Sequence, residues 1–225
     1  MAIVLEAVSA SRAGRPVLHG LGAEIPQRRV GIVGPNGSGK SSLARLLNGL
    51  LLPDSGRVRV CGLDTRTQTR AVRRRVGFVF QNPDDQIVFP VVAEDLAFGP
   101  RNLGLPKAEA ARRAAAVLDR FGLAHLAERP SHGLSGGEKQ LVALCAVLVM
   151  EPDLVVFDEP TTLLDLRQRN RVRAAIAGLA QAAVVVTHDL DLIADFDRVL
   201  VVDEGRIVAD DAPAPALRWY VDRLS

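Results

Sequence analysis

Short runs rich in Val and Ile recur along this chain, and each is bounded by Gly, Pro, Asp or Asn. Such runs predict β-strands, here at 2–8, 29–33, 57–60, 76–80, 154–157, 183–187, 199–203 and 206–209. The runs that begin at Arg29, Leu154 and Ala183 are apolar at both alternating sets of positions, which is typical of parallel strands buried under helices. The last two runs flank Glu204-Gly205, which predicts a hairpin.

Helical periodicity, with apolar residues three or four apart, separates several of these runs. It predicts helices at 40–51, 107–121, 135–150, 166–180 and 190–196. Pro106 precedes one of these segments and Pro152 follows another, as expected at helix boundaries. We therefore predict an α/β fold made of a single domain, 1–225, in which a helical subdomain at about 83–150 interrupts the α/β core.

Composition narrows the class of protein. Hydrophobic residues make up 48% of the 225 residues, which predicts a packed core. The formal net charge is only +2, so charge gives no argument for binding nucleic acid or a membrane surface. Cys61 and Cys145 lie far apart in no cluster, which argues against a disulfide framework or a zinc site.

No secretory signal is visible, and the longest apolar run, 141–150, is about half the ~20 residues of a membrane helix. We expect any membrane role to come through a partner.

A glycine-rich motif follows the predicted strand at 29–33 and opens a helix. It has the form G-x-x-x-x-G-K-[ST], in which glycines let successive N–H groups point at phosphate oxygens. Lys40 can reach the β- and γ-phosphates of a nucleotide, and the Ser41 hydroxyl can ligate Mg²⁺. The alternative is a glycine-rich turn without a ligand. The predicted ATP-binding residues here are Gly34, Pro35, Asn36, Gly37, Ser38, Gly39, Lys40, Ser41 and Ser42.

Two carboxylates end the apolar strand predicted at 154–157. Ligands of open α/β sheets bind at the carboxyl edge of the strands. Asp158 would hold Mg²⁺, commonly through water, and Glu159 would polarise or orient an attacking water. Alone, this pair could also mark a turn; with the phosphate motif it favours hydrolysis.

The segment 134–140 reads LSGGEKQ and begins a predicted helix. Ser135 is a suitable N-cap, and the two glycines leave N–H groups open to an anion, although a capping turn alone explains these residues equally well. The segment resembles the signature motif of ABC ATPases, and other elements follow in that family's order. Gln81 resembles the Q-loop glutamine, Leu164-Asp165 the D-loop, and His188 the switch histidine.

This resemblance implies a P-loop ABC ATPase core with a mainly parallel sheet, an antiparallel β subdomain and a helical subdomain. It also implies a head-to-tail dimer, a homodimer or a heterodimer with a second ABC ATPase, that sandwiches two ATP molecules. Glu159, His188 and Gln81 would be catalytic, and Ser41, Gln81 and Asp158 would hold Mg²⁺. The opposite subunit would present Ser135, Gly136 and Gly137 to the γ-phosphate.

The stretch from Phe80 to Pro100 is similar to the Q-loop region of energy-coupling-factor ATPases, which power uptake of vitamins and of cobalt or nickel; a generic ABC importer is the alternative. The short stretch after the late hairpin is more similar to the biotin-uptake subgroup, with cobalt or nickel uptake as the second reading. The resemblance implies a membrane coupling subunit and a substrate-binding membrane subunit as partners. It places the chain at the cytoplasmic face of a bacterial inner or plasma membrane, with no role for nucleic acid.

The chain departs from the family at the place of the adenine-stacking aromatic, where it has Ser11-Arg12. We expect the planar guanidinium of Arg12 to stack on adenine instead. Glu138 stands where Gln is common, and Leu141 where a basic residue is common. Three other classes remain as rivals: a soluble ABC ATPase of DNA repair or translation, a P-loop kinase, and a nucleotide sensor that does not hydrolyse.

Overall fold

The computed structural model describes residues 2–162 and 164–224. The chain divides into two compact units, one formed by Met1–Phe78, Asp153–Glu159 and Gln181–Ser225, the other by Val79–Pro152 and Pro160–Ala180. The predicted helical span of about 83–150 within one domain stays a prediction. The strands are β1 (Ile3–Arg12), β2 (Arg15–Ile25), β3 (Arg29–Val33), β4 (Ser55–Val60), β5 (Leu63–Asp64), β6 (Val76–Val79), β7 (Leu154–Asp158), β8 (Ala182–Val186), β9 (Arg198–Asp203) and β10 (Arg206–Asp211). The helices are α1 (Lys40–Leu47), α2 (Thr69–Arg75), α3 (Val92–Asn102), α4 (Lys107–Arg120), α5 (Gly136–Leu148), α6 (Leu166–Ala177) and α7 (Pro213–Leu224).

Two sheets carry these strands. A six-stranded sheet has the order β10-β9-β3-β8-β7-β6, in which β3 is parallel to β8 and β9, and β7 is parallel to β8. The hairpin strand β10 is antiparallel to β9. The second sheet, β2-β1-β4-β5, is antiparallel throughout. The predicted fold class, a mainly parallel sheet with an antiparallel β subdomain and helices, is confirmed.

The parallel strands position the chemistry of the first unit. Every residue of β7 and β8 is buried, as the uninterrupted apolar runs predict for central strands. Because β3, β7 and β8 run parallel, their carboxyl ends meet at the same edge of the sheet. The phosphate motif follows β3, the two carboxylates end β7, and His188 lies two residues after β8.

The second unit is mainly helical. Its α5 buries eight residues, among them Leu141, Val142, Leu144 and Leu148. The helix α3 was missed because Gly99 and Pro100 lie inside it and interrupt its apolar pattern. Within the described chain, none of the helices is both long enough and apolar enough to cross a membrane.

One predicted helix is wrong. The segment 190–196 forms only a single 3-10 turn, Leu190–Leu192, rather than an α-helix. Four aspartates, Asp189, Asp191, Asp195 and Asp197, lie in and beside this short stretch. Aspartate has low helix propensity, and seven residues provide too few backbone hydrogen bonds to offset the cost of helix nucleation.

Candidate functional site

The phosphate loop, residues 34–39, links β3 to α1 in a backbone path that requires glycine. Gly34 has φ 150°, and a Cβ there would lie 1.9 Å from the carbonyl oxygen of Val202. Gly37 has φ 80°, in the left-handed region that other residues rarely adopt. The loop therefore keeps its curled shape only with glycine at these positions.

Hydrogen bonds from distant elements hold this loop. The Gly205 N–H in the β9–β10 turn donates to the Ser38 carbonyl at 2.9 Å, and His19 N–H in β2 donates to the Gly205 carbonyl at 2.8 Å. The Ser38 hydroxyl is buried and has no hydrogen-bond partner among the residues that the structure describes. An unsatisfied buried hydroxyl beside the first-turn N–H groups of α1 fits a ligand rich in oxygen atoms.

Lys40 begins α1 and is buried. Its Nζ donates to the carbonyl oxygens of Gly34 and Pro35, each at 2.8 Å, so the ammonium folds back over the loop. Burial lowers the pKa of Lys40, and the negative charges of Glu159 and Asp158 oppose that shift. These contacts place a positive charge at the loop that the first-turn N–H groups already make attractive to anions.

Asp158, the last residue of β7, is 2% exposed in its side chain and has two polar neighbours from α1. The Ser41 hydroxyl donates to its Oδ1 at 2.7 Å, and the Arg45 Nη2 lies 3.5 Å from its Oδ2. A hydroxyl and a carboxylate oxygen are ligands that Mg²⁺ prefers. These side chains therefore fit a divalent cation. Ser42, the next residue of α1, is buried.

Glu159 lies directly after β7 and is brought to His188 by the parallel strands. Its backbone has φ 53°, and its N–H donates to the Val186 carbonyl of β8 at 2.9 Å. The His188 N–H donates to Glu159 Oε2 at 3.2 Å, and His188 Nε2 lies 3.2 Å from Oε1. A buried carboxylate in a rarely populated backbone conformation is typical of functional sites. The structure thus joins Glu159 and His188, which the sequence linked only by motif order.

Ser135 is the N-cap of α5 and forms a capping box with Glu138. The Ser135 N–H donates to Glu138 Oε2 at 2.8 Å, the Ser135 hydroxyl lies 2.8 Å from the same oxygen, and the Glu138 N–H donates to that hydroxyl at 3.4 Å. The backbone and hydroxyl hydrogen bonds from Ser135 lower the pKa of Glu138. A Cβ at Gly137 would lie 2.6 Å from Cγ of Gln168 in α6, whereas one at Gly136 would meet only Leu164, at 3.8 Å.

Gln81 is exposed and follows β6 by two residues. It lines a cavity of about 430 Å³ in the second unit together with Asp84, Gly136 and Lys139. Lys139 Nζ lies 2.6 Å from Asp84 Oδ1. Gln81, Ser135, Gly136 and Gly137 are thus described within the second unit, and their expected role toward a nucleotide stays a prediction. Arg12 is exposed at the end of β1, opposite Arg15.

Sequence reasoning missed Arg45, which packs its guanidinium beside Asp158. The signal was present, since Arg45 lies four residues after Ser41 and helical residues four apart share a face. Burial, followed by the negative charge of Glu159, raises the pKa of Tyr220 in α7, which the sequence did not single out.

Comparison with known proteins agrees with this geometry. The family model described as ABC transporter matches residues 21–162. An ABC transporter ATP-binding protein of Deinococcus radiodurans is 63% identical over 211 residues, covering 94% of this chain and 93% of that protein. The biotin transport ATP-binding protein BioM of Rhizobium etli is 49% identical over 220 residues, covering 98% of each. The cobalt import ATP-binding protein CbiO of Syntrophus aciditrophicus is 50% identical over 205 residues, covering 88% of this chain and 73% of that protein.

Solved structures give the same result for the fold. The structure of cbiO1 from Clostridium perfringens, part of the ABC transporter complex cbiONQ, has a TM-score of 0.84 and 33% identity, covering 99% of this chain and 95% of that one. A dimeric ATP-binding cassette in a post-hydrolysis state with ADP and Pi has a TM-score of 0.82 and 25% identity, covering 94% of this chain and 98% of that one. The resemblance to energy-coupling-factor ATPases is confirmed. The chain belongs to the ABC transporter family and is one of its nucleotide-binding ATPases, which drive transport.

Proposed function

We propose that this ATPase powers a bacterial importer of the energy-coupling-factor type, with biotin as the cargo. ATP hydrolysis is supported by one observation: the side chains that it needs lie together at one edge of the parallel sheet. They are Lys40, Ser41, Asp158, Glu159 and His188. The cargo is supported by the likeness to BioM, which covers 98% of this chain, against 88% for the cobalt-import CbiO. Cobalt or nickel uptake is the second candidate.

Phosphate binding would begin with an exchange of partners at Lys40. Its ammonium leaves the Gly34 and Pro35 carbonyls for the β- and γ-phosphates of ATP, while the loop N–H groups and the Ser38 hydroxyl donate to phosphate oxygens. Mg²⁺ would supply positive charge against the phosphate oxygens. Ser41 and Asp158 would hold it, with Gln81 added as the family motif implies.

Hydrolysis would then depend on Glu159. Its carboxylate orients the attacking water and accepts the water's proton. The His188 N–H donates to Glu159 Oε2 and the imidazole Nε2 lies 3.2 Å from Oε1, which limits the directions in which Glu159 points. From the opposite subunit of a dimer, Ser135, Gly136 and Gly137 would contact the γ-phosphate. Separately, Arg12 would stack on adenine. Phosphoryl transfer needs such positioning because charge spreads over all the γ-oxygens.

The membrane partner would dock on the segment 82–90. Val88 is 74% exposed and Phe98 is 44% exposed, and the Phe98 ring lies 5.0 Å from that of Phe89. Exposed apolar groups beside acidic ones suit an interface with a basic, partly apolar segment. The partner we propose is a cytoplasmic segment of an integral membrane subunit, which would hold this chain at the cytoplasmic face of the membrane.

Purification of the tagged chain from its native membranes tests the proposal. We expect integral membrane proteins to co-purify, and we expect cells that lack the chain to lose uptake of labelled biotin while keeping uptake of labelled cobalt. Loss of cobalt uptake alone would select the second candidate. Recovery of DNA-repair or ribosomal proteins without any membrane protein would support the soluble class and contradict the proposal.

The docking segment has its own test. Asp84 is unsuitable because Asp84→Lys would set two lysines against each other at Lys139. Asp85 is exposed and suits a charge reversal. We expect Asp85→Lys to abolish co-purification of the membrane subunit while the ATPase rate of the isolated chain is unchanged, and Asp119→Lys on α4 to do neither. Normal assembly of Asp85→Lys, or loss of hydrolysis without the partner, would make this segment a cover over the nucleotide site instead.

A further inference from the structure

Arg45 is the basic side chain that the structure pairs with Asp158. It belongs to α1, one turn after Ser41, so both side chains reach the end of β7 from the same helix face. Asp158 is 2% exposed and Arg45 is 26% exposed. A carboxylate this deeply buried requires a counter-charge, because an unpaired buried charge is strongly destabilising. In this structure Arg45 supplies the counter-charge and Ser41 the hydrogen bond.

We propose that Arg45 competes with the divalent cation for Asp158 and thereby lowers the affinity of the nucleotide site for that cation. The inference rests on the proposed function, in which Ser41 and Asp158 hold the cation. A cation near Asp158 would share the carboxylate with a guanidinium that lies 3.5 Å from its Oδ2. Two positive groups beside one carboxylate repel each other, and neither gains the full attraction it would gain alone.

Arg45 therefore acts as a positioning residue, and it has two effects on the site. With the site free of cation, its guanidinium lies beside Asp158 Oδ2 while the Ser41 hydroxyl donates to Oδ1. With the cation bound, it weakens the attachment and so favours release of cation and nucleoside diphosphate after turnover. The competing view is that Arg45 only packs α1 against β7, in which case cation affinity is independent of its charge.

The experiment is a titration of Mn²⁺, followed by electron paramagnetic resonance, on the full chain saturated with ADP. We expect Arg45→Gln to tighten Mn²⁺ binding by roughly three- to fivefold, the upper part of the range for charge pairs that are partly exposed to solvent. Arg45→Lys, which keeps the positive charge, should stay within about twofold of wild type, as should Arg70→Gln, an exposed arginine of α2. Unchanged or weaker Mn²⁺ binding by Arg45→Gln overturns the proposal.

A double-mutant cycle separates this proposal from the function on which it rests. In an Asp158→Asn background, Arg45→Gln should tighten Mn²⁺ binding clearly less than it does in the wild type, because the carboxylate for which the two cations compete is gone. If Asp158→Asn by itself leaves Mn²⁺ affinity unchanged, the assignment of the cation site fails together with this inference. If only Arg45→Gln is without effect, the cation site stands and the competition is wrong. Should Arg45→Gln fold poorly, Arg45→Met keeps the apolar stem and provides the same comparison.

Discussion

The phosphate loop and the segment at Ser135 are both proposed to bind an anion, yet their hydrogen bonds are organised in opposite ways. Around the loop, the contacts span the chain: Ser41 bonds to Asp158, 117 residues away, and Glu159 bonds to Val186 of the neighbouring strand. At Ser135, the bonds join residues three positions apart, Ser135 and Glu138. The first region therefore has its shape as soon as the sheet forms.

In the second region, the Ser135 hydroxyl has a hydrogen-bond partner without any ligand, because the Glu138 carboxylate already accepts from it. A phosphate oxygen at Ser135 would have to replace a carboxylate oxygen that now lies 2.8 Å from the hydroxyl. The comparison indicates that the loop half of the proposed site is preformed in its backbone, where the Lys40 side chain must leave the Gly34 and Pro35 carbonyls, whereas the Ser135 half must exchange the hydrogen bond of its N-cap.

The largest expected effect comes from the preformed half. Glu159→Gln keeps the shape of the side chain but removes the carboxylate that orients and deprotonates water, so we expect ATP turnover to fall by roughly 10²- to 10⁴-fold. ATP binding should be unchanged, and an ATP-bound dimer should accumulate, visible by size-exclusion chromatography. Glu128→Gln, an exposed residue, serves as the control. Normal hydrolysis by Glu159→Gln would remove Glu159 from the catalytic role.

The signature segment should respond differently. Gly137→Ala forces a Cβ to within 2.6 Å of Gln168 and must separate α5 from α6 locally. We expect a loss of about 1–3 kcal/mol in the free energy of unfolding, the usual cost of overpacking. Turnover should fall while the isolated chain binds ATP normally. Denaturant titration and fluorescent-nucleotide binding measure the two quantities.

Gly133→Ala is the matched control, since nothing lies within 4 Å of a Cβ there. A loss of ATP binding in Gly137→Ala without any change in stability would mean that this glycine acts within its own subunit's nucleotide site.

A smaller effect is expected at the edge of the first unit. If Arg12 stacks on adenine, Arg12→Ala loses a contact of about 0.5–2 kcal/mol and raises the ATP dissociation constant by roughly 2- to 30-fold. Arg12→Tyr should restore or tighten binding, because an aromatic ring provides the stacking surface. Equilibrium binding should be measured for ATP and for inorganic triphosphate. Because triphosphate has no adenine, its affinity reports the phosphate contacts alone, and Arg12→Ala should leave it unchanged. Equal ATP affinity for Arg12→Ala and wild type would show that adenine is held elsewhere.

The smallest expected effect lies on α4, in the second unit. Hydrogen bonds from Arg112 and then Arg113 lower the pKa of Glu109 from 4.5 to about 2. Because the folded-state pKa is depressed, the stability it contributes is present above pH about 4.5 and is lost as the pH falls towards 2. Carbon-13 NMR titration of the Glu109 carboxyl measures the folded-state pKa directly. A midpoint near 4.5 would show that these arginines do not hold the carboxylate in solution.

The same contrast between local and long-range contacts explains what could be predicted from the sequence. The phosphate loop and the Asp158-Glu159 strand end were predictable because each is a contiguous motif beside a strongly apolar strand. The strand β2 was missed because Gly20 and Gly22 break its pattern, although β1 pairs with it from Ile3 to Arg12. The spacing of Ser41 and Arg45 places both on one face of α1, but that this face meets Asp158 depends on how α1 packs against β7. The contact between Glu159 and His188 could be expected only from the order of the family's motifs. The two residues follow different strands, β7 and β8, and the parallel pairing of these strands brings them together.

The hydrogen bonds that run from Ser38 through Gly205 to His19 have a thermodynamic consequence. Each backbone residue that is held in one conformation loses roughly 1–2 kcal/mol of conformational entropy at room temperature. For the phosphate loop, that loss occurs during folding, when the β9–β10 turn and β2 fix the Ser38 carbonyl. When a nucleotide arrives, the loop backbone has little freedom left to lose. More of the attraction between N–H groups and phosphate oxygens is then realised as affinity.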